Sequence, residues 1–401
     1  MPSLRLSLFA LPFLAVGAHA QSWAPQTSGT TADLDDVHFV SETTGYAVGD
    51  VGLLLATADG GTTWTTRTLG NDDLEGIAFN PAATVGVIVT DDGGAYRTVD
   101  GGVTWTAVST GAGDLRDVEW ASNTVVWAAG RDGDAAVSTD AGATWTYHNT
   151  GSAERTESVG AVSATEAWVG NREGELRHTT NGGATWAPVA SGTTRDLNDM
   201  QFFAATTAYV VGNGEVVLKT TDGGTSWADV SGSQVGDDGL FFRDVNTGWV
   251  VGDAGSIWFT STGGTTWALQ PSGTSADLHA VHFPTASAGW AVGTGGTIVR
   301  FSSGATAAEA GAGAAALALR VAPNPARDAA VVSFTLPAAG RATVGVYDAL
   351  GRQVALLHDG TLAAGPHTLA LDAARLPTGA YVVRATADGA LVALRRVTVA
   401  H

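Results

Sequence analysis

One pattern of alternating apolar and polar positions repeats along the chain from residue 33 to residue 304. Five copies open on Asp-Leu-x-x-Val-x-Phe or a close variant, clearest at 33–39, where Val37 and Phe39 alternate with polar neighbours, and two worn copies lie near 157–159 and 238–240. An aromatic-apolar run that ends in Gly follows, as at 45–49, and then a third run after a Gly turn, as at 52–57. Alternation with a period of two predicts β-strands with one buried face. With a final run led by Trp, each copy predicts four short strands.

A short polar turn separates the third and fourth runs. It reads Thr-x-Asp-x-Gly-x-Thr-Trp, and its Trp residues recur every 40 or 41 residues. A fixed period of this size with four strands per unit predicts the blades of a β-propeller. The recurring Asp, Gly and Trp positions are Asp59, Gly61, Trp64, Asp100, Gly102, Trp105, Asp140, Gly142, Trp145, Asn181, Gly183, Trp186, Asp222, Gly224, Trp227, Gly264 and Trp267.

The numbers of Trp residues and turns predict where the ring closes. The periodic Trp occurs seven times, but the turn occurs only six times. Trp23 has no turn before it, and the last unit stops at 301–304 without a Trp. The N-terminal strand around Trp23 is therefore expected to complete the seventh blade, which leaves only short, protected strand edges. The fold class is all-β, a seven-bladed propeller over 21–304 followed by a small antiparallel β-sandwich.

The chemistry of the turn favours a structural role. Its Asp can accept bonds from backbone amides of its own turn, and Gly61 can supply a positive φ. The Trp is expected to be buried between sheets, with its N–H satisfied locally. Asn181 and Thr262 replace the Asp in two copies and keep an oxygen acceptor, which a calcium site would tolerate poorly. No metal or cofactor is predicted.

The first twenty residues resemble an export signal. Arg5 precedes an apolar run over 6–16, and Ala18-His19-Ala20 offers a cleavage site, so the mature chain is expected to begin at Gln21. The alternative is a buried N-terminal strand. No later segment is apolar for long enough to predict a transmembrane helix.

Charge is unevenly distributed. Residues 22–304 contain 33 Asp and Glu against 11 Lys and Arg, whereas residues 317–401 contain 8 Arg against 5 Asp. An acidic propeller argues against nucleic acid and anionic membranes as partners. Because the acids occur in every repeat, a role in solubility is favoured over cation binding. The chain has no Cys, so disulfides and thiolate sites are excluded.

The C-terminal part follows an Ala- and Gly-rich stretch at 305–317, which predicts a flexible linker. Residues 318–401 lack the repeat and predict a small β-sandwich. Five strands are expected there, at 331–336, 342–346, 368–371, 380–385 and 391–399.

Two resemblances follow from these motifs. The turn resembles the Asp-box of sialidases and related propellers. The motif at 34–64 resembles the repeat of the photosystem II stability/assembly-factor-like propellers, and this resemblance extends over residues 23–304. That resemblance implies a non-catalytic protein that binds a client through a basic patch. Since this propeller is acidic, only the scaffold of that family is carried over.

The tail resembles the type A C-terminal sorting domain of the type IX secretion system. This resemblance implies passage across an outer membrane and then release or attachment at the surface. A carbohydrate-binding sandwich is the alternative. The residues that carry the tail resemblance are Pro323, Asn324, Pro325, Tyr347, Asp348, Gly351, Arg352, Pro377, Gly379 and Tyr381.

No catalytic set is recognisable in the sequence. The Arg cluster and Tyr nucleophile of a sialidase are missing, although a carboxylate pair of the kind glycosidases use stays open. Charged residues that break the repeat concentrate in the third and fourth units, and this sector is the candidate binding site; sequence drift on a solvated face is the alternative. The candidate residues are Arg131, Asp132, Arg155, Arg172, Glu173, Arg177, His178 and Trp258.

The sequence therefore predicts an exported, non-enzymatic propeller at the outer-membrane surface or outside the cell. Its expected partners are a protein or glycan ligand and, through the tail, the type IX secretion machinery. A glycoside hydrolase of the Asp-box group and a structural or adhesive surface protein are the two alternatives.

Overall fold

A computed structural model provides the fold. It describes residues 21–203, 206–232, 238–303, 320–336, 340–347, 353–363, 365–387 and 390–400. The predicted signal peptide and linker lie outside the described residues, as do Asp348, Gly351 and Arg352 of the tail motif. The chain forms two compact units, one within Ala20–Gly304 and one within Ala305–His401. None of the helices in these ranges has the length and apolar character needed to cross a membrane.

The N-terminal unit consists of seven four-stranded antiparallel sheets, the blades of a propeller. We number the blades in chain order and name the strands of each from the innermost to the outermost. The strands of blades 1 to 3 are Leu34–Phe39, Gly45–Gly49, Leu53–Thr57 and Thr65–Thr68; Leu74–Phe79, Gly86–Thr90, Gly94–Thr98 and Thr106–Ser109; and Asp117–Trp120, Val126–Gly130, Asp134–Ser138 and Thr146–Asn149. Those of blades 4 and 5 are Thr156–Ala161, Ala167–Asn171, Glu175–Thr179 and Ala187–Ala190; and Leu197–Phe202, Ala208–Gly212, Val216–Thr220 and Ala228–Asp229. Those of blades 6 and 7 are Gly239–Phe242, Gly248–Gly252, Ser256–Thr260 and Ala268–Leu269; and Leu278–His282, Ala288–Gly293, Thr297–Ser303 and Gln21–Gln26.

The ring closes as the sequence predicts. The strand Gln21–Gln26 pairs antiparallel with Thr297–Ser303, so that Trp23 lies opposite Phe301. Trp23 is buried and packs edge-on against Phe283 and Phe301. The first strand of the chain therefore supplies the outermost strand of the last blade.

Aromatic stacks fill the boundaries between blades. The Phe of an innermost strand lies flat against the aromatic residue of the previous blade's second strand, and this arrangement recurs around the ring. Ring centroids are 3.5 Å apart for Phe39 and Trp290, and 3.7 Å apart for Tyr209 and Phe242. Such contacts add orientation to the large apolar area that each ring buries. The cores between blades thus link each sheet to its neighbours.

The propeller has two faces. On one face the Asp-box turns contact the turn between the first two strands of their own blade, as shown by the bond from the Gly60 N–H to the Thr43 carbonyl at 2.9 Å. We call this the Asp-box face. The opposite face carries the segments that begin each innermost strand and the turns between the second and third strands. There the Asp50 N–H donates to the Asp33 carbonyl.

The C-terminal unit contains two antiparallel sheets. One sheet has the strands Arg320–Ala322, Ala329–Leu336 and Gly365–Asp372, and the other has Gln353–Leu362, Gly340–Tyr347, Gly379–Ala387 and Ala390–Val399. The five predicted strands are present and longer than expected. Two strands were missed: the short Arg320–Ala322, and Gln353–Leu362, whose apolar run is interrupted by His358, Asp359 and Gly360. Val332, Val344 and Val383 are among the buried residues in the core of the C-terminal unit.

Candidate functional site

The Asp-box turns are closed hydrogen-bond units. Asp59 accepts the Thr63 N–H at 2.9 Å through Oδ1 and the Thr63 hydroxyl at 2.7 Å through Oδ2. The Thr57 hydroxyl donates to the same carboxylate and accepts the Gly61 N–H. These bonds lower the pKa of Asp59, and in the next two turns they lower those of Asp100 and Asp140 to about 2. The carboxylates are thus occupied within their own turns.

The two substituted turns keep the main bond of the unit. Asn181 accepts the Thr185 N–H at 3.0 Å through Oδ1, and Thr262 accepts the Thr266 N–H at 2.9 Å through its hydroxyl. The expectation that every Asp-box Trp finds a nearby acceptor for its indole N–H was too general. Trp145 donates to the Gly142 carbonyl of its own turn, whereas Trp267 donates to Val230, 37 positions away. The indole N–H groups of the other four turns are buried and have no acceptor among the described residues: Trp64, Trp105, Trp186 and Trp227.

Three half-buried Asp residues join the innermost strands around the central channel. Asp36 of blade 1 accepts the Ile77 N–H of blade 2 at 2.8 Å. Asp117 of blade 3 accepts the N–H of Val159 in blade 4, and Asp199 of blade 5 accepts that of Leu240 in blade 6. Each odd-numbered blade up to the fifth is thereby tied to the next even-numbered blade. The same position holds small residues in the other four blades: Gly76, Ser158, Gly239 and Ala280.

A second level of side chains lies two residues later in the innermost strands, towards the Asp-box face. Glu119 accepts the Ala161 N–H at 2.6 Å, and Gln201 accepts the Phe242 N–H at 2.7 Å. His282 accepts the Phe39 N–H through Nδ1, and its ring lies 4.2 Å from that of His38. The structure places both in the channel wall.

Burial shifts the pKa of these groups towards their neutral forms. It raises the pKa of Asp36 to about 7 and that of Asp117 to about 6, and it raises the pKa of Glu119 well above its usual value. It lowers the pKa of His38 to about 4 and that of His282 well below its usual value. The channel wall therefore combines carboxyl groups that ionise at a higher pH than usual with imidazoles that stay neutral.

The opposite mouth of the channel is surrounded by one residue from every blade. These are the residues that follow the Leu position of Asp-Leu-x-x-Val, and they are acidic in some blades and basic or neutral in others. The ring consists of Asp35, Glu75, Arg116, Glu157, Asn198, Asp238 and His279. We call it the mouth ring.

One side of the mouth ring carries a cluster of Arg residues, each paired with a carboxylate. Arg116 pairs with Glu75 and with Asp114, and Asp114 also contacts Arg131 at 3.2 Å. In blade 4, Glu157 receives both Arg155 at 2.9 Å and Arg172 at 2.6 Å. Burial and the charges of the other three Arg residues lower the pKa of Arg155, although Glu157 opposes this. Four guanidinium groups therefore lie close together on blades 3 and 4.

The other side of the mouth ring is acidic. Burial raises the pKa of Asp35 to about 8, and the nearby carboxylates of Glu75, Asp50, Asp73 and Asp33 raise it further in that order. Beside it, the carboxylates of Asp73, Glu75 and Asp91 approach within 4.8 Å of one another, which is close enough to share a cation. Asp73 and Asp91 also accept backbone N–H groups there, from Val51 and from Asp73 itself. The mouth thus has two charged halves.

The structure gathers five of the eight predicted sector residues on this face: Arg131, Asp132, Arg155, Arg172 and Glu173. Arg177 instead lies on the third strand of blade 4, where it donates to the Thr150 carbonyl. His178 stacks on Trp168 at 3.9 Å and contacts Glu166. Trp258 packs in the core between blades 5 and 6. These three side chains do not join the mouth.

None of the seven mouth-ring residues is among the eight site residues predicted from the sequence. All seven occupy the same position inside an otherwise regular repeat. The signal was present in the sequence, because this position holds Asp or Glu in some units and Arg, Asn or His in others. Recognising it required the innermost strands to be aligned by blade. Isolated charged residues that break the repeat lie mostly in the turns between strands instead.

Comparisons with known proteins agree with this architecture. The family model of photosynthesis system II assembly factor YCF48 matches residues 16–86 and 78–237. The model of the secretion system C-terminal sorting domain matches residues 320–399. No curated protein matches the chain.

Solved structures show the same fold. A structure of YCF48 bound to a D1 peptide is 23% identical and has a TM-score of 0.60; the match covers 70% of this chain and 96% of that one. YCF48 from Cyanidioschyzon merolae is 20% identical with a TM-score of 0.56, covering 70% and 98%. The WD40 propeller of Doa1 is 11% identical with a TM-score of 0.59, covering 72% and 98%.

Proposed function

Because the chain belongs to the photosynthesis system II assembly factor YCF48 family, we propose that it is a non-enzymatic propeller that binds a segment of a partner protein at its mouth ring. The C-terminal match implies export to the cell surface or the extracellular space. The observation that carries the proposal is the mouth ring itself. On a scaffold built from near-identical units, it collects one half-buried polar side chain from each blade, and acidic, basic and neutral side chains all occur among the seven.

The charge distribution indicates the kind of segment. Blades 3 and 4 present four Arg residues, and blades 1 and 2 present a group of carboxylates. A peptide that carries an acidic and a basic group would satisfy both halves, and such complementarity gives specificity and orientation. A YCF48 structure has been solved with a D1 peptide, which supports peptide binding by this scaffold. The ligand of this chain is expected to differ, since its propeller is strongly acidic.

Charge reversal at the rim tests the proposal. Arg131→Glu combined with Arg172→Glu changes two side chains that are 47% and 50% exposed. The matched control is Arg243→Glu, on the Asp-box face and 36% exposed. A partner crosslinked to the wild-type protein at the native cell surface should be lost from the double variant and retained by the control.

Two outcomes would contradict the proposal. One is equal recovery of the same partner with the double variant and with the control. The other is release of sugars by the purified wild-type protein in a polysaccharide screen, which would support the glycoside hydrolase alternative. Failure of the wild-type protein to capture any partner would favour a structural or adhesive role.

Export is proposed to use cleavage after Ala20 and recognition of the tail by the type IX secretion machinery. In the tail, the Tyr381 hydroxyl donates to the Pro377 carbonyl at 2.8 Å, and Asn324 accepts the Thr398 N–H, so these motif residues tie strands and turns together. Deleting residues 318–401 should leave the propeller in the periplasm. Appearance of the truncated protein at the surface would contradict this route.

A further inference from the structure

The central channel contains a cavity of about 400 Å³ on the Asp-box side. Asp36, Asp117 and Asp199 line its inner end and also line the opposite mouth, so they separate the two. Glu119 lies higher in the wall, and the aromatic rings of Trp120 and Phe241 lie beside it. A cavity of this size accommodates one side chain or a small molecule. It is distinct from the mouth ring in both position and composition.

The carboxyl groups of this cavity have no cationic partner. None of Asp36, Asp117, Asp199 and Glu119 forms an ion pair within the described ranges. No Lys or Arg is among the residues that line the cavity. Acidic groups in a low-dielectric site without a counter-charge are costly to ionise, and a cation that enters the site relieves this cost. The cavity is therefore polarised to receive positive charge.

The structure does not need the charge of Glu119. Gln201 occupies the equivalent position two blades later and makes the same bond to the next blade with a neutral amide. Only Oε2 of Glu119 is used in that bond; Oε1 has no donor among the described residues, and it is not enclosed by protein. A free carboxylate oxygen thus faces the cavity, although an amide would hold the blades together equally well.

The neighbouring imidazoles are neutral, so they do not act as cationic partners of the Glu119 carboxylate. Nδ1 of His282 accepts the Phe39 N–H, so the neutral ring carries its proton on Nε2. His38 packs against both His282 and Phe79. The wall thus offers neutral rings and apolar surface around an acidic centre.

We propose that this cavity binds a primary ammonium group on an apolar stem, such as a Lys side chain of a partner, entering from the Asp-box face. The three N–H donors of an ammonium point in different directions and suit single oxygens from separate blades. A guanidinium fits less well, because it prefers a carboxylate with two free oxygens, and Asp36 and Asp117 each already accept two backbone N–H groups. Trp120 and Phe241 would cover the stem. This proposal does not depend on the function of the mouth ring.

The test uses n-pentylamine as the probe and 1-pentanol as its neutral counterpart, titrated calorimetrically into the full-length protein at pH 8. A six-heavy-atom ligand is expected to bind with a dissociation constant on the order of 1 mM. Glu119→Gln should weaken amine binding by about tenfold or more. The matched control Glu166→Gln alters a carboxylate on the same face that contacts His178 outside the channel, and it should leave binding unchanged.

A gain-of-function variant guards against misfolding. Gln201→Glu adds a second carboxylate at the same level and should tighten amine binding, with the circular dichroism spectrum and melting curve confirming a folded propeller. The proposal is overturned if pentylamine does not bind the wild-type protein, if Glu119→Gln binds it as tightly as wild type, or if pentanol binds equally well.

Discussion

The indole N–H of Trp23 donates to Oε1 of Gln270 at 2.8 Å, although 247 residues separate the two in sequence. Trp23 belongs to the strand that completes blade 7, and Gln270 follows the outermost strand of blade 6. The bond therefore joins the chain's first strand to a neighbouring blade as well as to its own sheet. A side chain from the start of the propeller is thus built into the core at its end.

Trp23→Ala is predicted to lower the melting temperature of the propeller strongly. Removing a buried Trp typically costs about 3–5 kcal/mol, and here it would also release the ring closure. Differential scanning calorimetry of the full chain provides the measurement. Ser22→Ala changes an exposed residue of the same strand and should have little effect. An unchanged transition in Trp23→Ala would show that the ring does not depend on this strand.

The Asp-box is predicted to depend on acceptor geometry and not on charge or metal. Asp59→Asn should melt near the wild-type temperature, because Asn181 makes the same bond to the backbone in blade 4. Asp59→Ala should melt lower, since the Thr63 N–H loses its acceptor. Thermal denaturation with and without EGTA distinguishes the two interpretations. A large drop caused by EGTA or by Asp59→Asn would indicate a calcium site.

The number of blades and the point of closure follow from the sequence because both depend on short-range chemistry. Strand alternation, the φ of the turn glycine and the bulk of Trp64 are local properties that recur in each unit. The channel chemistry depends on the ring geometry. Asp36 and Ile77 lie 41 residues apart, and their contact exists only because consecutive innermost strands lie side by side.

The same reason explains the division of the predicted sector. Arg172 and His178 are six residues apart, and the third strand of blade 4 carries them towards opposite faces. Arg116 and Glu75 are far apart in sequence, yet they pair across a blade boundary. Proximity in sequence therefore grouped residues that the propeller separates. The equivalent position in successive units was the better guide.

Stability is predicted to rise as the pH falls from 9 to about 6.5. The pKa of Asp35 is raised to about 8 and that of Asp36 to about 7, so the folded state takes up protons in this range while the unfolded chain does not. Their stabilising contribution is complete only below the unfolded pKa and is lost as the pH rises through the folded values. The titratable groups that face them are Asp33, Asp50, Asp73, Glu75, Asp117 and His279.

Below about pH 6.5 the His residues oppose this trend. The lowered pKa values of His38 and His282 mean that the unfolded chain binds protons that the folded state refuses, so these two groups subtract from stability as the pH falls towards 4, while Asp35 and Asp36 still add to it. Melting temperatures should therefore rise more steeply between pH 9 and 6.5 than between pH 6.5 and 4. Asp35→Asn should raise the melting temperature at pH 9 more than at pH 6, because it removes one of several crowded carboxylates. An equal effect at both pH values would contradict the assigned cause.

The last prediction concerns the contact between Gly45 and Phe39 in blade 1. A Cβ atom at Gly45 would clash with the Phe39 ring, which is itself stacked at 3.5 Å on Trp290 of blade 7. Gly45→Ala should therefore displace Phe39 and destabilise the propeller, even though alanine suits a strand better than glycine. Phe39→Leu should also destabilise it, through the lost stack. In the double variant the smaller side chain makes room for the methyl group, so its loss in free energy of unfolding should be clearly less than the sum of the two single losses. Urea denaturation of the wild type, the two single variants and the double variant measures this coupling. Strictly additive losses would show that the Phe39 side chain does not require a glycine at position 45.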